Sequence, residues 1–319
     1  MKAIQILGER GNRRLTLTSS LPKPIPKADE ILIKVHAAGI TADEVSWVEV
    51  YKTPSRIPGH DISGVIQELG PSYIGPLSVG DAVFAMLDAD RGQGMAEYAI
   101  ASPGEVAPKP GSISHAEAAA LPIPVLTAWE ALSRHANLAG RQARVLVTGG
   151  SGAVGVMAVQ LAKVLFDAEV IALASGAKHE YLRQLPSGVS EVVDYNTPGW
   201  ETEVGEVDAV LDTAGGEVLS KAWAAVKNDG VIVTVADPPP PWAFEKGVVP
   251  VELASKPDVR YVYFVVSVNA EALTKVAGFI DEGRVKGLPV VEFPVDEALD
   301  AWEYASRRGR PGKTVINFC

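Results

Sequence analysis

The sequence predicts an α/β protein in which a domain of short strands is followed by a doubly wound parallel sheet. Two observations lead to that expectation. Residues 1–118 are rich in Gly and Pro and carry short alternating runs, the pattern of an all-β domain. From about Arg144, β-branched runs alternate with helical or polar segments, as in a sheet with crossover helices.

In chain order, LPKPIPKADE (Leu21–Glu30) is a connecting loop, because each proline lacks the amide that a central strand needs. Strands are expected at ILIKVH (Ile31–His36), in HDISGVIQEL between Gly59 and Gly70, and at AVFAM (Ala82–Met86), with a turn at Gly80-Asp81. Ser114 and Glu117 have capping-box spacing ahead of an alanine-rich segment, so a helix beginning the second domain is expected there. LTAWEALSRH (Leu126–His135) reads as another helix. RVLVT (Arg144–Thr148) reads as a central strand buried on both faces. Further strands fit Glu169–Ala174, Glu191–Asp194, Asp208–Asp212, Val231–Ala236 and Arg260–Val268. Ala270–Glu282 is an amphipathic helix, Pro294–Lys313 holds one more, and Val315–Phe318 is expected to add an edge strand to the first domain.

Composition narrows the function. The 319 residues carry a formal charge of -10, which argues against nucleic acid or an anionic membrane as partner. Hydrophobic residues make up 47% and charged residues 21%, as in soluble globular proteins. The only cysteine is Cys319, so neither an intrachain disulfide nor a cysteine zinc cluster can form. No stretch resembles a signal peptide or a membrane helix, and a cytoplasmic location is expected.

The stretch VLVTGGSGAVGVMAVQLAK (Val145–Lys163) contributes the chemistry. Gly150, Gly152 and Gly155 stand at G-x-G-x-x-G between a strand and a helix, where side chains would obstruct a tight turn, a pyrophosphate, or helix-on-strand packing. Val154, Met157, Ala158, Leu161 and Leu165 recur at helical spacing, so the helix would turn its free amides and positive end toward phosphate. Ala153 and Val154 join the three glycines as expected cofactor-binding residues. After the next strand no acid is present to accept a ribose 2′-hydroxyl. Ser175, Gly176 and Lys178 stand there instead and suit a 2′-phosphate, so NADPH is expected rather than NADH.

The chain resembles the medium-chain dehydrogenase/reductase superfamily, in particular its zinc-free quinone oxidoreductases (zeta-crystallin-like) and enoyl reductases. The matching motifs are AAGITADEVSW (Ala37–Trp47), IPGHDISGVIQELG (Ile57–Gly70), VGDAVFAM (Val79–Met86), GMAEYAI (Gly94–Ile100), AAALPIPVLTAWEAL (Ala118–Leu132), the glycine turn, VDAVLDTAGG (Val207–Gly216), DGVIVTVA (Asp229–Ala236) and GKTVI (Gly312–Ile316). The resemblance implies a GroES-like β domain from residues 1–118 and 263–319, a Rossmann domain from 119–262, and a homodimer.

It also implies site residues. Thr41 stands where many relatives have Asn, Tyr51 matches a tyrosine placed over the nicotinamide, and Thr127 matches a hydroxyl against the nicotinamide ribose. These three are the expected catalytic residues. Tyr195 matches a 2′-phosphate ligand; Ala214, Ala236, Phe264 and Val266 match the nicotinamide side, and Lys313 a basic position near the cleft exit. His60 matches a zinc-binding histidine, but Asp43 stands where a cysteine ligand would be, so no metal is expected and His60 reads as structural.

The expected activity is hydride transfer to a small-molecule quinone or α,β-unsaturated carbonyl. Two rivals stand beside it. One is an enoyl-thioester reductase, for which Arg307, Arg308 and Arg310 could receive a carrier-bound substrate. The other is a cofactor-binding protein with little catalysis, which the departure of Thr41 from Asn would favour.

Overall fold

The computed structural model describes residues 1–140 and 142–319. The chain divides into two units: Met1–Leu126 with Ser267–Glu282 and Gly287–Cys319, and Thr127–Val266 with Gly283–Lys286. The divisions fall later in the chain than 118 and 262, and the Ser114 helix lies in the first unit rather than opening the second.

In the first unit, β1 (Ala3–Glu9) and β2 (Asn12–Thr18) form an antiparallel hairpin. Then follow β3 (Ile31–Gly39), the short helix α1 (Val48–Lys52), β4 (Asp61–Leu69), β5 (Ala82–Met86), β6 (Tyr98–Ala101) and β7 (Val106–Pro108). At α2 (His115–Ala119) the capping box forms as expected: the Glu117 amide donates to Ser114 Oγ at 3.2 Å and the Ser114 amide to Glu117 Oε2 at 2.8 Å. The helix is nevertheless a single short turn. α3 (Pro122–Glu130) starts four residues before Leu126 and runs on as a π-helical segment, Ala131–Ala136.

The second unit contains β8 (Arg144–Val147), α4 (Ala153–Phe166), β9 (Glu169–Leu173), α5 (His179–Arg183), β10 (Glu191–Val193), α6 (Trp200–Glu203), β11 (Val207–Asp212), α7 (Gly216–Ala225), β12 (Val226–Thr234) and β13 (Arg260–Tyr263). Its six strands pair in parallel in the order β10-β9-β8-β11-β12-β13, the doubly wound arrangement. Leu146, Ile171, Val210 and Ile232 are fully buried among Trp200 and Trp223, as the two-sided burial of parallel strands requires. β13 stops at Tyr263 because its last partner on β12 is Thr234, which leaves residues 264–268 without a ladder.

The chain then returns to the first unit with α8 (Ala270–Asp281), β14 (Val290–Pro294), α9 (Ala298–Ala305) and β15 (Lys313–Asn317). The seven-stranded sheet runs β14-β15-β3-β4-β5-β7, with β6 also paired to β3. The terminal strand is therefore interior rather than an edge: it pairs in parallel with β14 and antiparallel with β3. Val315 and Ile316 are fully buried, which the two-sided pairing explains.

Candidate active site and cofactor turn

In the second unit the glycine turn lies at the carboxyl end of β8, the end at which ligands bind in open α/β sheets. The tight bend falls at Gly149, with φ +62°, one residue before the motif's first glycine; its carbonyl accepts the Gly152 amide at 2.9 Å. A Cβ on Gly150 would stand 2.9 Å from the Ala172 Cβ, and one on Gly155 would lie 2.3 Å from the Gly149 carbonyl oxygen. These two glycines therefore serve packing. At Gly152 the nearest atom to a Cβ is 3.2 Å away, and this residue is the N-cap of α4 with no side chain capping the helix. The amides of Ala153, Val154 and Gly155 thus open a 14-residue helix whose N-cap residue makes no side-chain cap, which fits a pyrophosphate.

Beyond β9, Ser175 is the N-cap of a one-turn segment in which the Lys178 amide donates to the Ser175 carbonyl at 2.8 Å. The Gly176 amide is already taken, donating to Asp194 Oδ2 at 2.9 Å. The backbone and side-chain amides of Asn196, with that of Gly176, hold the Asp194 carboxyl below the usual carboxylate range. Tyr195 beside it is 45% exposed. Ser175, Lys178 and Tyr195, the residues expected to meet a 2′-phosphate, thus stand next to a carboxylate.

On the other side of β8, Asp212 closes β11 and is buried. Thr148 Oγ1 donates to its Oδ1 at 2.5 Å and Thr234 Oγ1 to its Oδ2 at 2.7 Å; the amides of Ala214 and Gly215 also point at it. Ala236 packs against the same loop, 2.7 Å from where a Gly215 Cβ would be. Thr127 is buried in α3. The ring of Phe264 lies 4.4 Å from that of His135, while Val266 follows the end of β13.

In the first unit, Thr41 precedes a short turn and its carbonyl accepts the Glu44 amide at 3.1 Å. The Tyr51 hydroxyl donates to the Val45 carbonyl at 2.8 Å, and the Arg56 guanidinium sits 5.8 Å from the centre of its ring. Its proton is thereby engaged, while its oxygen remains free to accept. Lys313 is no solvated lysine: it pairs with Asp61, which is wholly buried and also accepts the Ile123 amide at 2.7 Å. Burial pushes the Asp61 carboxyl up, and Lys313 and the Ile123 amide oppose that.

The side chains at the zinc-ligand positions are engaged elsewhere. Asp43 accepts the Trp47 indole N–H at 2.9 Å. His60 instead faces Glu44, with Nδ1 2.9 Å from Oε1, while its Nε2 is 3.3 Å from the Ala89 carbonyl. Glu44 is fully buried and also accepts the Gly59 amide. Among the described residues no group of three or more His, Cys, Asp or Glu could hold a metal. These residues do not fit zinc.

Burial opposes charge on His60, but Glu44 and the Ala89 carbonyl outweigh it and raise the pKa to about 8. His115 is the reverse case. Burial lowers its pKa to about 4, with help from His36, whose ring is 4.4 Å away, while His115 Nδ1 is 2.7 Å from Ser63 Oγ. A raised folded pKa gives stability that is complete below the unfolded value near 6.5 and is lost as pH rises through 8. A lowered one gives stability present above 6.5 and lost as pH falls toward 4. The urea midpoint is therefore expected to peak near pH 6.5. The alkaline limb is worth about 2 kcal/mol, at roughly 1.4 kcal/mol per pKa unit. His60→Gln should lower the peak and flatten that limb between pH 6.5 and 8; an unaltered slope in the variant would refute the assignment.

Residues 27–111 match a family model described as alcohol dehydrogenase GroES-like domain, and residues 187–316 match one described as zinc-binding dehydrogenase. The chain is 33% identical over 320 residues to the 2-methylene-furan-3-one reductase of Solanum lycopersicum, covering 95% of this chain and 75% of the relative. It is 32% identical over 318 residues to the chloroplastic NADPH-dependent alkenal/one oxidoreductase of Arabidopsis thaliana, with the same coverage of 95% and 75%. The structure of a quinone oxidoreductase from Coxiella burnetii superposes with a TM-score of 0.82 at 29% identity, covering 100% of this chain and 99% of that one.

Proposed function

Because the chain belongs to the medium-chain dehydrogenase/reductase superfamily, in its zinc-free quinone oxidoreductase branch, and is an oxidoreductase, we propose that it reduces a quinone or an α,β-unsaturated carbonyl with NADPH. The observation that supports this most is the uncapped start of α4 behind a glycine turn at the carboxyl edge of a parallel sheet. The bound cofactor supplies the hydride. The chain's own part is to hold and orient. The amides of Ala153, Val154 and Gly155 donate to pyrophosphate; Ser175, Lys178 and Tyr195 receive the 2′-phosphate; Thr127, Ala214, Ala236, Phe264 and Val266 fix the nicotinamide end. Thr41 and Tyr51 supply polar contacts to the substrate carbonyl, and Tyr51 can pass on a proton only by releasing Val45.

Two of the three arginines named for the thioester reading have partners of their own. Arg310 caps α9 by donating to the Ala305 and Arg307 carbonyls, and Arg307 pairs with Glu303 at 2.9 Å. We propose a cytoplasmic homodimer, with β13, the end strand of the parallel sheet, as the dimer contact. No helix among the described residues is long and apolar enough to cross a membrane.

Titration with NADPH and NADH, followed by quinone, enone and thioester acceptors, tests the reading. NADPH is expected to bind about tenfold more tightly or better, a difference of roughly 1.4 kcal/mol. Equal affinities would remove Ser175 and Lys178 from cofactor choice, and binding without turnover on any acceptor would favour a non-catalytic role. Tyr51→Phe should lower kcat about tenfold with the cofactor Kd unchanged, less than a full general-acid contribution because water can protonate an enolate. An unaltered kcat takes Tyr51 out of the chemistry.

A further inference from the structure

Asp212 is a buried carboxylate with no cation against it among the described residues. Its partners are two hydroxyls and two amides: Thr148 Oγ1 at 2.5 Å, Thr234 Oγ1 at 2.7 Å, the Gly215 amide at 3.1 Å and the Ala214 amide at 3.3 Å. A buried carboxyl group must have its oxygens satisfied, and apolar residues fill such positions at less cost, so this network points to positioning rather than stability.

What it positions follows from which strands it joins. Thr148 follows β8, Asp212 ends β11 and Thr234 ends β12, three neighbours in the sheet. On the β8 side the clamp reaches the phosphate turn. Thr213 donates from its amide to Thr148 Oγ1 at 3.2 Å and from its hydroxyl to the Thr148 carbonyl at 2.9 Å, and Gly149 lies so close that a Cβ there would be 2.3 Å from Thr213 Oγ1. On the β12 side it reaches the loop 213–216 and Ala236, whose amide donates to Thr234 Oγ1 at 3.2 Å.

We infer that Asp212 is a positioning residue that holds the adenosine-phosphate and nicotinamide ends of the cofactor site as one unit, so that a change at either end is felt at both. This rests on the reading that the chain binds a dinucleotide. It separates from a purely local role because Thr234, on the β12 side, would then affect the adenosine end as well.

The test uses the full-length protein and two half-ligands, 2′,5′-ADP and reduced nicotinamide mononucleotide, with Kd measured by calorimetry and folding checked by circular dichroism. Asp212→Asn is expected to weaken both half-ligands about tenfold. Thr234→Val, a milder change that serves if Asp212→Asn does not fold, should weaken both about threefold, including the distant 2′,5′-ADP. A folded Asp212→Asn protein that binds either half-ligand as wild type does, or a Thr234→Val effect confined to the mononucleotide, overturns the coupling. If the wild-type protein binds neither NADPH nor either half, the dinucleotide reading itself fails.

Discussion

Gly155→Ala is expected to lower both the stability of the turn and tight cofactor binding, whereas Gly152→Ala should leave stability nearly unchanged and weaken binding alone, by placing a Cβ where the pyrophosphate approaches. The Cβ at residue 155 would lie 2.3 Å from the Gly149 carbonyl oxygen and 2.8 Å from the Gly150 Cα, both backbone atoms that cannot swing aside. Overpacking of this kind costs about 1–3 kcal/mol. Relief would push the turn away from α4, and with it the amides meant for pyrophosphate. A loss of roughly 100-fold in NADPH affinity, about 2.7 kcal/mol, follows if the displacement breaks that register. At Gly152 the nearest atom is 3.2 Å away, so a small shift suffices. Fluorescence titration and urea denaturation of both variants check this, and equal losses of stability at the two sites would contradict the division between packing and ligand-facing glycines.

Asp61→Ala is expected to destabilise the first unit by about 3–5 kcal/mol, the usual cost of leaving one member of a buried pair alone. Asp61 joins the start of β4 to Lys313 at the start of β15 and to the Ile123 amide at the start of α3. Lys313 is only 9% exposed, so its ammonium would be stranded. The double variant Asp61→Leu, Lys313→Met should recover most of the loss, because two apolar side chains leave no unpaired charge; only the Ile123 amide stays unmet. Urea denaturation of Asp61→Leu, Lys313→Met and the double variant reads this as a cycle. Additive losses would show that the two side chains do not act as a pair.

Local features were legible in the sequence where a residue's role depends on its chain neighbours. The run from Val145 to Lys163 carries its own strand, turn and helix, and the Ser114 capping box closes within four residues. Features that depend on distant partners were not. The hairpin β1–β2 is hidden in ERGNRRL, whose charges mask strand alternation. Val315–Ile316 reads as an edge strand until β14 and β3 are seen on either side. Glu44 and Asp212 look like ordinary turn acids, since nothing nearby in sequence marks them as buried against His60 or between two threonines. A strand-end carboxylate in VLDTAGG with threonines closing the two flanking strands is the signal that could have located the second.

The interior place of β15 has a consequence for synthesis. Residues 127–266 are nearly all of the second unit, so that unit's strands are complete in one continuous stretch as the chain leaves the ribosome. The first unit begins earlier and finishes later. Until residues 313–317 emerge, β3 has an open edge where β15 belongs, and the buried Asp61 waits for its lysine. The domain made first is thus completed last, and a nascent chain truncated just before Lys313 should hold a formed nucleotide-binding unit beside an unfinished one.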